Sequence, residues 1–247
     1  MSPKFDVKIW LKQSLPQEHG SWAFVVEPLL ISWIVGGVDR GVCAIGFFLA
    51  FLGYRPGLIG FKDAVKRKSY PRTLPSLLAG GLLVAAGLVL MAVTRSWIQL
   101  GCLAAMGGAF LIIDAKAPKR SILREAFGAL LAVPAACVVA PNATGVLAIR
   151  PIVSVLSVRG LIARWDDAKV CRWLAVGIGA AMLPVAWIAF GMLDWRLAAY
   201  GVCFARAMYS ALIAGKPVKP VQIGIAEMLV SLAVIAGWLA EKSLYSR

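Results

Sequence analysis

The chain has 247 residues, of which 60% are hydrophobic and only 15% are charged. Soluble domains carry about 25% charged residues, so this composition, with a mean hydropathy of +0.81, excludes a soluble globular protein and indicates a multi-pass membrane protein. The net charge of +14 does not indicate a nucleic-acid-binding protein. Most lysines and arginines occur in short segments between apolar runs, which is the pattern that membrane orientation produces.

Residues 1–19 form a basic N-terminal arm. Lys4, Lys8 and Lys12 are spaced to share one helical stripe, which predicts a short amphipathic helix lying on the membrane surface. No small-residue cleavage site follows the first apolar run, so we expect no cleavable signal peptide.

The arm ends at Pro16-Gln17-Glu18-His19-Gly20-Ser21-Trp22, which contains the only histidine of the chain. Glu18 and His19 therefore lie where the arm enters the first apolar run. A carboxylate beside an imidazole at this boundary suits proton transfer or ligand binding. The alternative is a polar helix start, in which Glu18 favours the positive end of the helix dipole.

From residue 20 to residue 247 we predict one domain, an all-α bundle of about nine transmembrane helices. A span needs about 20 predominantly apolar residues. The candidate spans are 20–38, 42–60, 74–94, 96–113, 123–140, 142–158, 172–190, 194–214 and 222–240. The sixth is short enough to lie at the interface, so eight spans is the alternative.

Positive charge alternates between the two sides of this predicted bundle. The arm and the connections after the second, fourth, sixth and eighth spans hold most of the 26 lysines and arginines. The connection after the sixth span is assigned Arg150, Arg159, Arg164, Lys169 and Arg172. The opposite side has only Arg40, Arg95, Arg196, Lys242 and Arg247. This asymmetry predicts a cytoplasmic N-terminus.

Small residues and prolines mark expected features of the bundle. The pairs Gly101/Ala105 and Ala104/Gly108 have the four-residue spacing that suits close helix packing. Pro28, Pro134 and Pro184 lie within spans and predict kinks.

Three charges lie well inside predicted spans, namely Glu27, Arg206 and Glu227. Each is costly in hydrocarbon and is expected to face the bundle interior, with Arg206 paired to one of the glutamates. Such a pair can fix helix register, or it can belong to a binding site or proton path.

The segment 54–72 after the second span is the densest polar stretch of the chain. We expect its glycines and prolines to break it into short pieces. Arg55, Lys62 and Arg67 could hold a phosphate or diphosphate, with Asp63 as the single carboxylate among them. The alternative is an orientation signal surrounded by anionic lipid.

No metal site is predicted from the side chains of this chain. The five cysteines are far apart, and a single histidine cannot build a zinc, copper or bis-histidine haem site. Asp166 and Asp167 are adjacent, so on a helix they diverge by about 100° and form a poor metal clamp. The cysteines read as small buried hydrophobic residues, and no pattern identifies a cofactor.

Three stretches of the chain resemble the YwiC-like family of bacterial membrane proteins. Pro16–Trp22 is similar to its opening signature, Pro-x-(Glu/Gln)-His-Gly-(Ala/Ser)-Trp. Residues 150–159 resemble a second stretch that usually ends Tyr-Val-Arg, with Ser157 at the tyrosine position, and residues 219–227 resemble a third. The resemblance implies the cytoplasmic (inner) membrane of a bacterium.

The predicted layout is also similar to that of UbiA-type intramembrane prenyltransferases. These enzymes have nine helices, an inside N-terminus and catalytic segments in the cytoplasmic loops after spans two and six. They use Asp-rich motifs there to hold magnesium on a prenyl diphosphate, whereas this chain offers Asp63 in the first loop and only Asp166 and Asp167 in the second.

If that fold is shared, the resemblance implies that a phosphorylated lipid is held directly by cations. Arg55, Lys62, Arg67 and Arg159 would bind the phosphate, and Glu18 with His19 would supply acid–base chemistry.

Three functions follow as hypotheses. The first is a prenyltransferase-like enzyme or binder whose partner is an isoprenoid or other lipid-linked phosphate within the surrounding membrane lipids. The second is a small-solute transporter that uses His19, Glu27, Arg206 and Glu227 as a charged path. The third is a membrane partner protein without chemistry of its own. The sequence does not indicate an oligomeric state.

Overall fold

A computed structural model of the chain describes residues 7, 8, 10, 21–67, 70–116, 121–137, 140–161, 168–192, 194–213 and 218–245. All regular secondary structure in these ranges is helical. The helices are α1 (Ser21–Val65), α2 (Thr73–Val93), α3 (Trp97–Lys116), α4 (Ile122–Leu130), α5 (Val133–Cys137), a 3₁₀ turn (Pro141–Ala143), α6 (Thr144–Leu161), α7 (Ala168–Phe190), α8 (Trp195–Leu212) and α9 (Pro220–Tyr245).

Several of these helices suit a membrane environment. Five segments in the described part of the chain are long and apolar enough to cross a bilayer. They lie in α1, α2, the 3₁₀ turn with α6, α7 and α9. On α2 one face exposes large apolar side chains, namely Leu74, Leu78, Leu82, Val89 and Val93. A continuous apolar outer surface of this kind is rare on soluble proteins and is expected of helices that face lipid.

The helix α1 is a hairpin rather than one straight rod. It has 45 residues, about twice what one crossing needs. Gly37 breaks it with φ 72° and ψ −160°, a conformation essentially restricted to glycine. A Cβ placed on Gly41 would lie 2.8 Å from the Trp33 ring, so the chain folds back at Gly37. The spans predicted at 20–38 and 42–60 are the two halves of this hairpin.

The second half of α1, after Gly37, packs very closely on α2 through glycines. A Cβ on Gly80 would lie 2.3 Å from the Gly57 nitrogen, and one on Gly87 would lie 2.4 Å from the Gly46 carbonyl oxygen. The backbones approach to a distance that only glycine permits, as in other closely packed membrane helices.

This packing corrects two expectations. Residues 54–65 of the segment 54–72 are not broken into short pieces, because α1 continues as a helix to Val65 and its glycines contact α2. The pairs Gly101/Ala105 and Ala104/Gly108 were expected to pack closely. Instead, Gly101, Ala104 and Ala105 are exposed, and a Cβ on Gly101 or Gly108 would meet no atom of the described part of the chain within 4 Å.

The fifth predicted span, 123–140, is also not one continuous helix. It is divided into α4 and α5 by a turn at residues 131–132, and Pro134 follows at the start of α5. Proline lacks the amide hydrogen that an uninterrupted helix would use, so a break at this place has a local cause.

Contacts between helix ends define two ends of the bundle. At the arm end, the Trp10 indole nitrogen donates a hydrogen bond to the Ser76 hydroxyl at 2.8 Å. The hairpin end holds Gly37 and is joined by two hydrogen bonds. Arg40 Nη1 donates to the Ser96 hydroxyl at 3.3 Å, and Lys242 Nζ donates to the Ile34 carbonyl oxygen.

Candidate functional site

Four ionisable side chains from four helices meet inside the bundle. We call this set, Glu27 on α1, Arg150 on α6, Arg206 on α8 and Glu227 on α9, the charge cluster. Arg150 Nη2 lies 3.0 Å from Glu27 Oε2, and Arg150 Nη1 lies 3.8 Å from Glu227 Oε2. Arg206 Nη2 lies 3.4 Å from Glu227 Oε1. Two cations and two carboxylates thus alternate in one chain of contacts.

The charge cluster is largely removed from the surface, and its most exposed member is Arg206, with 11% of the side chain exposed. Glu27 is 5% exposed, Arg150 2% and Glu227 1%. About 15 Å of helix separates Glu27 from Gly37 at 1.5 Å per residue, which is half the thickness of a bilayer's hydrocarbon core. If the Gly37 turn lies at a membrane surface, the cluster sits at mid-depth, where isolated charges would be most costly.

Serine hydroxyls complete the surroundings of these charges. Arg150 Nη2 donates to the Ser231 hydroxyl at 2.9 Å. Ser154 donates to Glu227 Oε2, and Arg206 Nη1 donates to the Ser210 hydroxyl. The hydroxyls lie one helical turn from their charged neighbours, Ser154 after Arg150 and Ser210 after Arg206, so regular helix geometry places both groups on one face.

Two small cavities adjoin the charge cluster. One is lined by Glu27 and Arg150 with four apolar or proline neighbours. The other is lined by Ser157, Cys203, Arg206 and Glu227 among others. Each has a volume of about 10 Å³, which is room for about one water molecule. Ser157 Oγ and Arg206 Nε are buried and have no hydrogen-bond partner among the described residues, so the second cavity offers polar groups to a water.

Sequence reasoning found three members of this set and missed the fourth. Arg206 pairs with Glu227, as expected. Arg150 was assigned to the cytoplasmic connection after the sixth span, and that assignment is wrong because the residue lies in the middle of α6 and is buried. The predicted span 142–158 itself contains position 150. A charge at its centre was a sufficient signal that a buried partner was required.

The predicted phosphate-binding cations lie near the arm end. Arg55 is half-buried within α1, and Lys62 and Arg67 are exposed. Asp63 is 8% exposed and accepts a hydrogen bond from Arg72 Nε at 3.0 Å. This contact raises the pKa of Arg72 and occupies the only carboxylate predicted for the first loop.

Arg159 was expected in a loop but belongs to the last turn of α6. It is 7% exposed, and its Nη1 donates to Glu125 Oε2 on α4 at 3.2 Å. Glu125 therefore engages the cation that was predicted to bind phosphate. Glu18, His19, Asp166 and Asp167 lie outside the described residues.

Comparison with known proteins gives one match. No curated protein and no solved structure matches the chain, so the likeness of layout to UbiA-type enzymes stays a prediction. Residues 15–144 match the YwiC-like protein family. The matched part includes the Pro16–Trp22 signature and Glu27 of the charge cluster, and it covers more than half of the sequence. The chain is therefore a member of the YwiC-like protein family.

Proposed function

We propose that the chain crosses the cytoplasmic membrane nine times, with its N-terminus and arm end in the cytoplasm. The Trp10–Ser76 hydrogen bond supports this topology, because α1 must cross an even number of times if residues 10 and 76 lie on one side. The turn at Gly37 divides α1 into two crossings. The later helices would each add one, with α4 and α5 together counted as one. Exposed Lys62, Lys66 and Arg67 at the arm end agree with the positive-inside rule.

We further propose that the protein is a transporter that moves protons, alone or coupled to a small solute, through the charge cluster. One observation carries this proposal: two glutamates and two arginines from four helices are in contact at mid-depth in the bundle, and Glu27, Arg150 and Glu227 are buried. Ionisable groups at this depth are rare in membrane proteins and typical of ion and proton pathways.

Glu227 is the member through which a proton would be coupled most directly to the positions of the helices. It contacts both arginines and Ser154, so its negative charge holds α6, α8 and α9 together. A proton on Glu227 would leave the cluster with one excess positive charge in a region of low dielectric, which is unfavourable. Protonation would therefore favour separation of these helices, and the position of the helices would in turn control proton release.

The test is proton flux into vesicles that contain the purified full-length chain. A potassium gradient with valinomycin supplies the driving potential, and a trapped pH dye reports the flux. We expect flux above that of protein-free vesicles and its loss in Glu227→Gln. Glu125→Gln is the matched control, because Glu125 also pairs with an arginine but lies at the arm end. Absence of flux in the unsubstituted protein, or normal flux in folded Glu227→Gln, would refute the proposal.

The second candidate function is binding or conversion of an isoprenoid or lipid-linked phosphate. It is favoured by the exposed cations Lys62 and Arg67 beside the membrane surface, where Trp10 docks on α2. The same preparation distinguishes the two functions. Native mass spectrometry detects any lipid phosphate that co-purifies with the protein. Loss of that lipid in the Lys62→Glu/Arg67→Glu double variant would support lipid-phosphate binding. Normal proton flux in the same variant would support transport.

A further inference from the structure

Three aromatic side chains form a layer between the charge cluster and the hairpin end. We call Phe190 on α7, Tyr200 on α8 and Trp238 on α9 the aromatic layer. The Phe190 and Tyr200 rings are nearly parallel with centroids 5.9 Å apart. The Phe190 and Trp238 rings are edge to face at 5.6 Å. The Trp238 indole nitrogen donates to the Tyr200 hydroxyl at 3.4 Å, so the three helices are joined ring to ring.

Arg196 covers the outer side of this layer. Its guanidinium carbon lies 4.5 Å from the Phe190 ring centroid and 5.0 Å from that of Trp238, which are favourable cation–π distances. Two carboxylates hold it there. Arg196 Nε lies 3.0 Å from both oxygens of Asp194, and Nη2 lies 3.5 Å from Glu241 Oε1. Arg196 thus ties the start of α8 to the end of α9.

Cys203 marks the other side of the aromatic layer. It follows Tyr200 by one helical turn and lines the cavity that Arg206 and Glu227 also line. Arg196 and Cys203 are separated by about 10 Å along α8, at 1.5 Å per residue. Along α8 from the hairpin end, Arg196 and the aromatic layer therefore come before Cys203 and the charge cluster.

The opposite side of the cluster has a different character. Moving toward the arm end, α6 and α8 each present a further buried serine, Ser157 and Ser210. Ser157 and Arg206 both line the second cavity. Polar groups therefore continue from the cluster toward the arm end, whereas aromatic rings close the cluster toward the hairpin end.

We infer that the aromatic layer is the closed outer gate of the transport site, and that Arg196, held by Asp194 and Glu241, is its latch. The inference rests on the proposed transport function, and it assigns the gate to residues that the charge cluster does not include. Opening requires α8 and α9 to separate at the hairpin end, because Arg196 and the Trp238–Tyr200 hydrogen bond link these two helices.

The experiment uses Cys203 as a native probe of the gate. The other four cysteines are replaced by alanine, and a charged, membrane-impermeant thiol reagent is added from the outer side of vesicles that contain the full chain. We expect slow labelling of Cys203 in this background and several-fold faster labelling in Arg196→Ala. Arg196→Lys keeps the charge but loses the planar stacking, and we expect intermediate labelling.

Two further variants keep the test decisive. Glu241→Gln removes a single latch carboxylate and serves if Arg196→Ala folds poorly; faster labelling supports the latch. Glu125→Gln alters an ion pair at the arm end and leaves labelling slow. Equal labelling of the background and both latch variants would overturn the inference, as would fast labelling of the background itself. Thiol labelling tests the gate, and proton flux tests the transport function. Faster labelling in Arg196→Ala without proton flux in the unsubstituted protein would therefore support the closed aromatic layer and contradict transport.

Discussion

Arg150 and Glu27 show how much depends on single residues when charges are buried. Each charge is stable in the bundle interior only because its partner is present. The cluster has two positive and two negative members, so removing one member leaves a net buried charge, whereas removing an opposite pair does not.

This balance predicts a strong coupling between the two positions. We expect Arg150→Met to lower the free energy of unfolding by about 3–5 kcal/mol, the range for breaking a buried ion pair. Adding Glu27→Gln to Arg150→Met restores a neutral cluster, so the double variant should be more stable than the sum of the single effects allows. Unfolding in mixed micelles measures all three proteins. Additive effects would contradict an energetic link between Glu27 and Arg150.

At the scale of helices, α1 and α2 depend on glycines for their close approach. Gly80 and Gly81 are neighbours in sequence but differ completely in surroundings. A Cβ on Gly80 would meet backbone atoms of Gly57, whereas one on Gly81 would meet nothing within 4 Å.

The two glycines therefore predict opposite outcomes for the same substitution. Gly80→Ala should destabilise the protein by about 1–3 kcal/mol, the usual cost of overpacking, because backbone atoms cannot move aside as a flexible side chain could. Gly81→Ala should be neutral or stabilising by up to about 1 kcal/mol, since alanine has the higher helix propensity. Thermal unfolding in detergent compares them. Equal destabilisation by both would show that helix packing is not the cause.

Hydropathy predicted an all-helical membrane protein and most of its helices, because a bilayer requires about 20 apolar residues for each crossing. It did not predict the division of 123–140 into α4 and α5. It could not predict that α1 and α2 pack through Gly46, Gly57, Gly80 and Gly87 rather than α3 through Gly101 and Gly108. Small residues at four-residue spacing occur on α2 as well as on α3, and only the fold decides which helix face meets a neighbour. For the site, hydrophobicity identified Glu27, Arg206 and Glu227, but a charge-counting argument misassigned Arg150.

On the scale of the whole molecule, the described residues combine a few buried charges with an unusually apolar surface. Charges occupy the interior at Glu27, Arg150 and Glu227, and large apolar side chains such as Leu82 and Ile188 cover the outside. Arg150 does not count among the cytoplasmic charges, because it lies inside α6. The arm end still carries Lys62, Lys66 and Arg67, so the orientation predicted from the positive charges is unchanged.

The proposed nine-crossing topology makes a prediction for the whole chain. In a cysteine-free background, Val38→Cys at the Gly37 turn should react with an impermeant thiol reagent added outside intact cells. Val38 is 76% exposed at the proposed outer surface. Lys66→Cys at the arm end should react only after the membrane is permeabilised. If α1 crossed once, position 38 would lie in hydrocarbon and stay unlabelled.

The hydrogen bond from Trp10 to Ser76 has a consequence for biosynthesis. The two residues are 66 positions apart, and ribosomes add about 5–20 residues per second. The arm therefore leaves the ribosome about 3–13 s before its docking partner is made. In the proposed topology, both halves of α1 insert into the membrane in that interval, before Trp10 can contact Ser76. Docking of Trp10 is thus a late event for one of the first residues synthesised, and it becomes possible only when the hairpin has returned to the side from which it started.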